Sequence, residues 1–126
     1  MEYVLGIDIG TGSVKAVAVD LKGNSFADSQ QHYPFSVPKP GYHEQDPEQI
    51  WQAFIESIKE IIAKTRTQPL AISLSSAMHS FITVDNNGSA LATMMTWADN
   101  RSAEIAVELR ASERGMSVYK ATGTPI

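Results

Sequence analysis

The stretch Ile7-Asp8-Ile9-Gly10-Thr11-Gly12-Ser13-Val14-Lys15 decides how the chain folds. It closes a β-rich run over residues 3–9 and opens a second over residues 14–21, with Gly10-Thr11-Gly12 as the turn between them. Asp8 stands between two β-branched residues at the end of a strand expected to be buried. A charge there is costly unless it is paired or bound to a metal. The residues that follow are small, supply hydroxyls and let another group approach the backbone. Successive N–H groups in such a turn form an anion-binding concavity. Asp8 can hold Mg2+, directly or through water, and Thr11, Gly12 and Ser13 can meet phosphate oxygens. Lys15 points off the second strand, either near those phosphates or simply into solvent.

Two known phosphate motifs are excluded. The spacing Gly-x-x-x-x-Gly-Lys-Ser/Thr of a Walker A loop is absent. A dinucleotide fingerprint needs a third glycine where Lys15 stands, and a helix where residues 14–21 read as strand. A phosphate-binding β-hairpin and an ordinary aspartate–glycine hairpin both remain.

Outward from the turn, Lys22-Gly23-Asn24 reverses the chain into a third, more polar strand over 25–33, giving a β-meander. Pro34, Pro38, Pro40 and Gly41 break regular structure. Asp46-Pro47-Glu48-Gln49 starts a helix, with Asp46 as N-cap, Pro47 in the first turn and Gln49 placed for a capping box. Ile50, Trp51, Phe54, Ile55, Ile58, Ile61 and Ile62 form an apolar stripe at helical spacing, predicted to pack on a sheet. A further strand is expected over 70–75. The runs 81–84 and 91–96 flank Asp85-Asn86-Asn87-Gly88 as a hairpin. A helix follows from Asn100 or Ser102, with Ile105, Ala106 and Leu109 as its buried face and Gly115 as its end. A last short helix is expected over 116–121, before a turn at Thr122-Gly123-Thr124-Pro125. The order βββ-α-β-ββ-α predicts an α/β chain with a mixed sheet.

Bulk properties narrow the function classes. At 126 residues the chain has length for one core and not two. A net charge of −4 without a basic run argues against a nucleic-acid partner. No apolar run is long enough to cross a bilayer, so no membrane role is expected. No basic leader precedes the first strand. The absence of cysteine excludes disulfides and thiolate metal sites and fits a cytoplasmic protein.

Four further segments carry a resemblance. Gly41-Tyr42-His43-Glu44-Gln45-Asp46-Pro47-Glu48 is similar to the entry to the first long helix of the FGGY carbohydrate kinases. Ser75-Ser76-Ala77-Met78-His79-Ser80 resembles that family's sugar-contacting turn, in a form like that of its gluconate-phosphorylating members. Thr96-Trp97-Ala98-Asp99-Asn100-Arg101-Ser102 resembles the family's Trp-x-Asp-x-Arg segment. The match continues from Val118 to Ile126.

The resemblance implies an actin-like ATPase (ribonuclease H-like) α/β domain, a mixed β-sheet flanked by helices and incomplete in this chain. Residues 1–126 would be part of an N-terminal kinase domain, with the general base and a second domain beyond Ile126, and would be inactive alone. It implies ATP and Mg2+ as cofactors, held by Asp8, Thr11, Gly12, Ser13 and Lys15, with Asp8 as metal ligand. It implies that Met78, His79, Trp97, Asp99 and Arg101 contact a small sugar acid, with D-gluconate converted to 6-phosphogluconate. A kinase for another sugar, such as xylulose, and a non-catalytic nucleotide-binding module are the rivals.

Blander roles stand beside these. Met78 can pack and His79 can be structural. Trp97 can fill a core. Asp99 or Asn100 can cap the following helix, and Arg101 can pair with Asp99 or Glu104. A truncated sheet with an uncovered apolar face would favour self-association into a homo-oligomer.

Overall fold

The computed structural model describes residues 1–125. Strands β1 (Tyr3–Ile9), β2 (Ser13–Asp20) and β3 (Ser25–His32) form the expected antiparallel meander. Helix α1 (Pro47–Thr65) then carries the chain over to β5 (Ala71–Ser76), which lies parallel to β1. Parallel neighbours need such a crossover, so the mixed sheet β3-β2-β1-β5 follows from the element order.

Alternation along the strands sets the two faces. Tyr3, Leu5 and Ile7 of β1 join Val14, Ala16 and Ala18 of β2 on the buried face, covered by Ala53 and Ile61 of α1. Burying each large side chain, such as Leu5 or Ile61, contributes about 1.5–3 kcal/mol. Asp8 projects on the opposite face and is exposed, which corrects the expectation of a buried carboxylate. The period of two places Ile7, not Asp8, against the helix.

Asp46 caps α1, its side chain accepting from the Glu48 N–H at 2.9 Å. The expected capping box is altered: Gln49 Nε2 donates to the Asp46 carboxylate at 3.4 Å. The buried line of α1 is Ala53, Ser57 and Ile61, with Ile50, Phe54 and Ile58 packed beside it. Ile61 of the predicted stripe thus enters the seam while Ile50, Phe54 and Ile58 flank it, and Trp51 stays 54% exposed, stacked on Phe54. The small residues Ala53 and Ser57 let the first part of the helix approach the sheet, and Ile61 fills the seam further along.

Beyond β5 the expectations change more. The Asp85 turn forms, with its carboxylate accepting from the N–H groups of Asn87 and Ser89 at 2.8 Å each. Its flanking runs form no ladder of their own but meet at the bridges Phe81–Met95 and Val84–Ala90 and at the Leu91 N–H, which donates to the Thr83 carbonyl at 2.9 Å. β6 (Met94–Met95) instead pairs with β4 (Glu44–Gln45), a two-residue strand between the proline-rich loop and α1.

α2 (Ala103–Ala111) is capped at Ser102, not at Asp99 or Asn100, and has no buried residue; Ile105 is 66% exposed. Gly115 does not end it. The break falls at Ser112, whose extended backbone and side chain cap both α2 and α3 (Glu113–Thr122). Gly115 sits buried in the first turn of α3, where a Cβ would fall 2.1 Å from the Leu109 carbonyl oxygen. It is the contact that lets the two helices meet. All six residues of β5 are exposed, and Leu74 is 61% exposed. Among the described residues no helix is long and apolar enough to cross a membrane.

Candidate functional site

The β1–β2 turn closes with the Gly10 N–H donating to the Ser13 carbonyl at 3.0 Å. A Cβ at Gly10 would come within 3.3 Å of that carbonyl, a tight contact that favours glycine there. At Gly12 neither crowding nor a positive φ requires one: a Cβ would meet nothing within 4 Å. The backbone at Gly12 is thus bare to an approaching group, as a phosphate cradle needs. Asp8 lies in register with Lys15 on β2 and Ser75 on β5, and these residues border an open cavity of about 420 Å³.

Protein groups hold the turn from the α1 side. The Tyr33 hydroxyl donates to the Gly10 carbonyl, and the Tyr33 N–H to the Gly12 carbonyl at 3.2 Å. Burial first, and then the charge of Asp8, raises the Tyr33 phenol above its ordinary value, so it remains a donor. Gln45 Nε2 donates to the Thr11 carbonyl at 2.6 Å.

The second part of the site begins after β5. Met78 is exposed, and His79 holds φ +62°, a left-handed backbone that a side chain other than glycine adopts at a cost. His79, Trp97, Asp99 and Arg101 line one cavity of about 310 Å³; Met78 is not in its wall. Trp97 also lines a neighbouring cavity of about 220 Å³ with Gly10, Thr11, Tyr33 and Gln45. Its indole N–H donates to Thr11 Oγ1 at 3.1 Å. One side chain thus joins the turn to the second cavity.

Asp99 and Arg101 are tied to each other. Arg101 Nε and Nη2 donate to the two Asp99 oxygens at 2.8 and 2.7 Å, and Nη2 also reaches Glu44 Oε1 at 2.5 Å. The guanidinium lies 3.8 Å from the Tyr42 ring centroid, a cation–π contact. Asp99 also accepts from the His43 N–H at 2.8 Å. These bonds, the Arg101 ones first, hold the Asp99 carboxyl well below the usual carboxylate range and raise the guanidinium further. The Thr93 hydroxyl, then Arg101, lowers Glu44. Arg101 therefore pairs with Asp99 and Glu44, not Glu104.

All five nucleotide-site candidates fall on or beside one turn, and three of the substrate candidates, Trp97, Asp99 and Arg101, share a wall with His79. Sequence patterns missed Tyr33, which carried no motif. Gln45 and Glu44 lay within the quoted helix-entry segment but were not singled out. Among the described residues no three His, Asp or Glu side chains converge as a metal cluster. A cation at Asp8 would draw its remaining oxygens from phosphate and water.

The meander, the crossover helix and the parallel strand, with a glycine turn opening beside a cavity that Trp97 lines, form an actin-like mixed α/β domain. The model for the N-terminal domain of the FGGY family of carbohydrate kinases matches residues 3–126, and the chain belongs to that family. Ile126, the last residue of the match, lies outside the described residues.

The chain is 45% identical to a gluconokinase of Bacillus licheniformis over 98% of its own length and 24% of the relative's. It is 38% identical to a xylulose kinase of Staphylococcus epidermidis, over 80% of this chain and 21% of that one. The crystal structure of a gluconate kinase from Lactobacillus acidophilus superposes with a TM-score of 0.93 at 34% identity, covering 98% of this chain and 25% of that one. The chain thus spans about a quarter of the length of these relatives.

Proposed function

We propose that the protein phosphorylates a sugar acid from ATP, with D-gluconate as acceptor and 6-phosphogluconate as product. The observation that carries this is the Trp97–Thr11 hydrogen bond, which joins a phosphate-type turn to the cavity lined by His79, Trp97, Asp99 and Arg101. Higher identity to the gluconokinase than to the xylulose kinase supports gluconate.

When bound, ATP with Mg2+ supplies the phosphoryl group and a cation that spreads the developing charge. The backbone N–H groups of Thr11, Gly12 and Ser13 bind phosphate oxygens. Asp8 holds the cation or its water, and Lys15, on the same face, adds positive charge. His79 donates to an acceptor hydroxyl or, protonated, to the carboxylate. Trp97 packs against the sugar. Asp99 accepts from Arg101, and the pair stiffens the wall through Glu44. The general base is assigned to no residue of this chain.

A coupled ADP-release assay on the whole protein with gluconate, xylulose and glycerol tests this. Gluconate should give the highest kcat/KM by at least about tenfold. A preference for xylulose or glycerol would overturn the substrate, and no ADP release with any of them would overturn the kinase.

A further inference from the structure

Every carbonyl of the glycine turn is held from behind. Gly10 accepts from the Tyr33 hydroxyl, Thr11 from Gln45 Nε2 at 2.6 Å, and Gly12 from the Tyr33 N–H at 3.2 Å. The chain has no cis peptide bond among the described residues. In a planar trans peptide, a carbonyl and the N–H of the next residue point in opposite directions. Fixing the Gly10 carbonyl therefore fixes the direction of the Thr11 N–H, and fixing the Thr11 carbonyl fixes that of Gly12.

The side of the turn is also set. Tyr33 is part of the core beneath α1, and Gln45, 4% exposed, immediately precedes the cap of that helix. Donors opposed to these two residues are directed away from α1, toward the face that carries Asp8 and Lys15. Among the described residues, neither the Thr11 nor the Gly12 N–H donates to a protein acceptor. Both N–H groups stand beside Gly12, where a Cβ would meet open space.

We propose that Tyr33 and Gln45 are positioning residues: they pin the Gly10 and Thr11 carbonyls so that the Thr11 and Gly12 N–H groups stand ready for phosphate oxygens. This rests on the assignment of the turn to ATP phosphates above. The chemistry suits the task. A carboxamide donates without charge, so Gln45 fixes the turn without attracting or repelling the phosphate. A phenol kept protonated does the same from just beyond the end of β3. Because the donors are oriented before ligand arrives, binding does not have to order them.

Calorimetric titration of the whole protein with MgATP and with inorganic tripolyphosphate tests the assignment, in wild type, Tyr33→Phe and Gln45→Met. Each variant removes one donor and keeps the bulk. Each should weaken both ligands about fivefold, the effect of losing one such hydrogen bond, with stoichiometry and the KM for sugar acid unchanged. In wild type, both ligands should shift the Thr11 and Gly12 amide resonances.

Other outcomes separate cleanly. Unchanged Kd in both variants overturns the positioning role while leaving the phosphate turn standing. So does a fall in stoichiometry and melting temperature at constant Kd, because that is the mark of a purely structural contact. Wild-type binding that leaves the two amides unmoved, or no binding of either ligand, overturns the phosphate turn and the proposal with it. If Tyr33→Phe does not fold, Gln45→Met decides by the same criteria, since Gln45 lies in a two-residue strand outside the main sheet.

Discussion

His79 holds a left-handed backbone, φ +62°, while its side chain is exposed and borders the cavity of Trp97, Asp99 and Arg101. Glycine would relieve about 1–2 kcal/mol of that conformational cost. It would add about 0.5–1 kcal/mol of unfolded-state entropy. His79→Gly should thus gain about 0.5–1 kcal/mol. For 126 residues at about 2.1 cal/mol/K each, the unfolding entropy is about 0.26 kcal/mol/K, so Tm should rise by about 2–4 °C. His79→Ala keeps the strained backbone and empties no buried space, so its Tm should stay within about 2 °C of wild type. Both variants lose the imidazole, and both should raise the KM for sugar acid about tenfold while leaving that for ATP unchanged. Thermal denaturation followed by circular dichroism, with initial-rate kinetics on the same preparations, reads both effects. A glycine variant no more stable than the alanine variant would refute the strain. An unchanged KM for the sugar acid in both would make His79 a turn former and nothing more.

Asp8→Asn should cut turnover by at least ~100-fold in the same assay, with the sugar-acid KM within about threefold, because the charge acts on the transferring phosphate; turnover near wild type would remove Asp8 from the cation site. Asp99 and Glu44 both titrate below their ordinary values of 3.8 and 4.5, so their link to Arg101 is fully present above those values and is lost as pH falls through the depressed ones. The Tm gap between wild type and Arg101→Met should therefore be constant above about pH 5 and shrink below about pH 4; a gap that widens in acid would contradict the pairing. Gly115→Ala forces a methyl onto the Leu109 carbonyl and should cost about 1–3 kcal/mol locally. Amide exchange should quicken in α2 and α3 and stay slow in β1–β3, and protection unchanged in α2 and α3 would place the break between them elsewhere.

The first half of the fold was legible because its signals are local. Strand alternation, the two tight turns and the Asp46-Pro47 start need only neighbours a few residues apart, and β1, β2, β3 and α1 all form where those signals lie. Even there, the stripe of α1 packs on the sheet through Ile50, Phe54, Ile58 and Ile61 while Trp51 stays exposed. Periodicity shows which side of a helix is apolar, but the distance of closest approach to the sheet selects Ala53 and Ser57 for the seam. After β5, the apolar pattern of α2 still predicted burial, yet its main packing partner is α3 and Ile105 remains exposed. An amphipathic pattern reports a capacity to pack, and the structure decides whether a surface is there to receive it.

The candidate site divides in the same way. Asp8, Thr11, Gly12, Ser13 and Lys15 stand within one hairpin, so their grouping follows from sequence spacing alone. The residues that position them do not. Tyr33 is 23 residues from Gly10, and Gln45 is 34 from Thr11. Arg101 shows the limit most directly. Spacing offered Asp99 and Glu104 as its partners, because those are the acids within one helical turn. Ser102 starts α2 after Arg101, so the arginine lies outside the helix and the i+3 relation to Glu104 never forms. The β4–β6 pairing brings Glu44, 57 residues away, into that place instead. That ladder depends on a hairpin run pairing on its other side, while Met95 stays bridged to Phe81, with the segment before α1, a choice made by the tertiary structure. Where the backbone is set by local turns, the site could be read; where it is set by long-range strand pairing, only the structure could supply the partners.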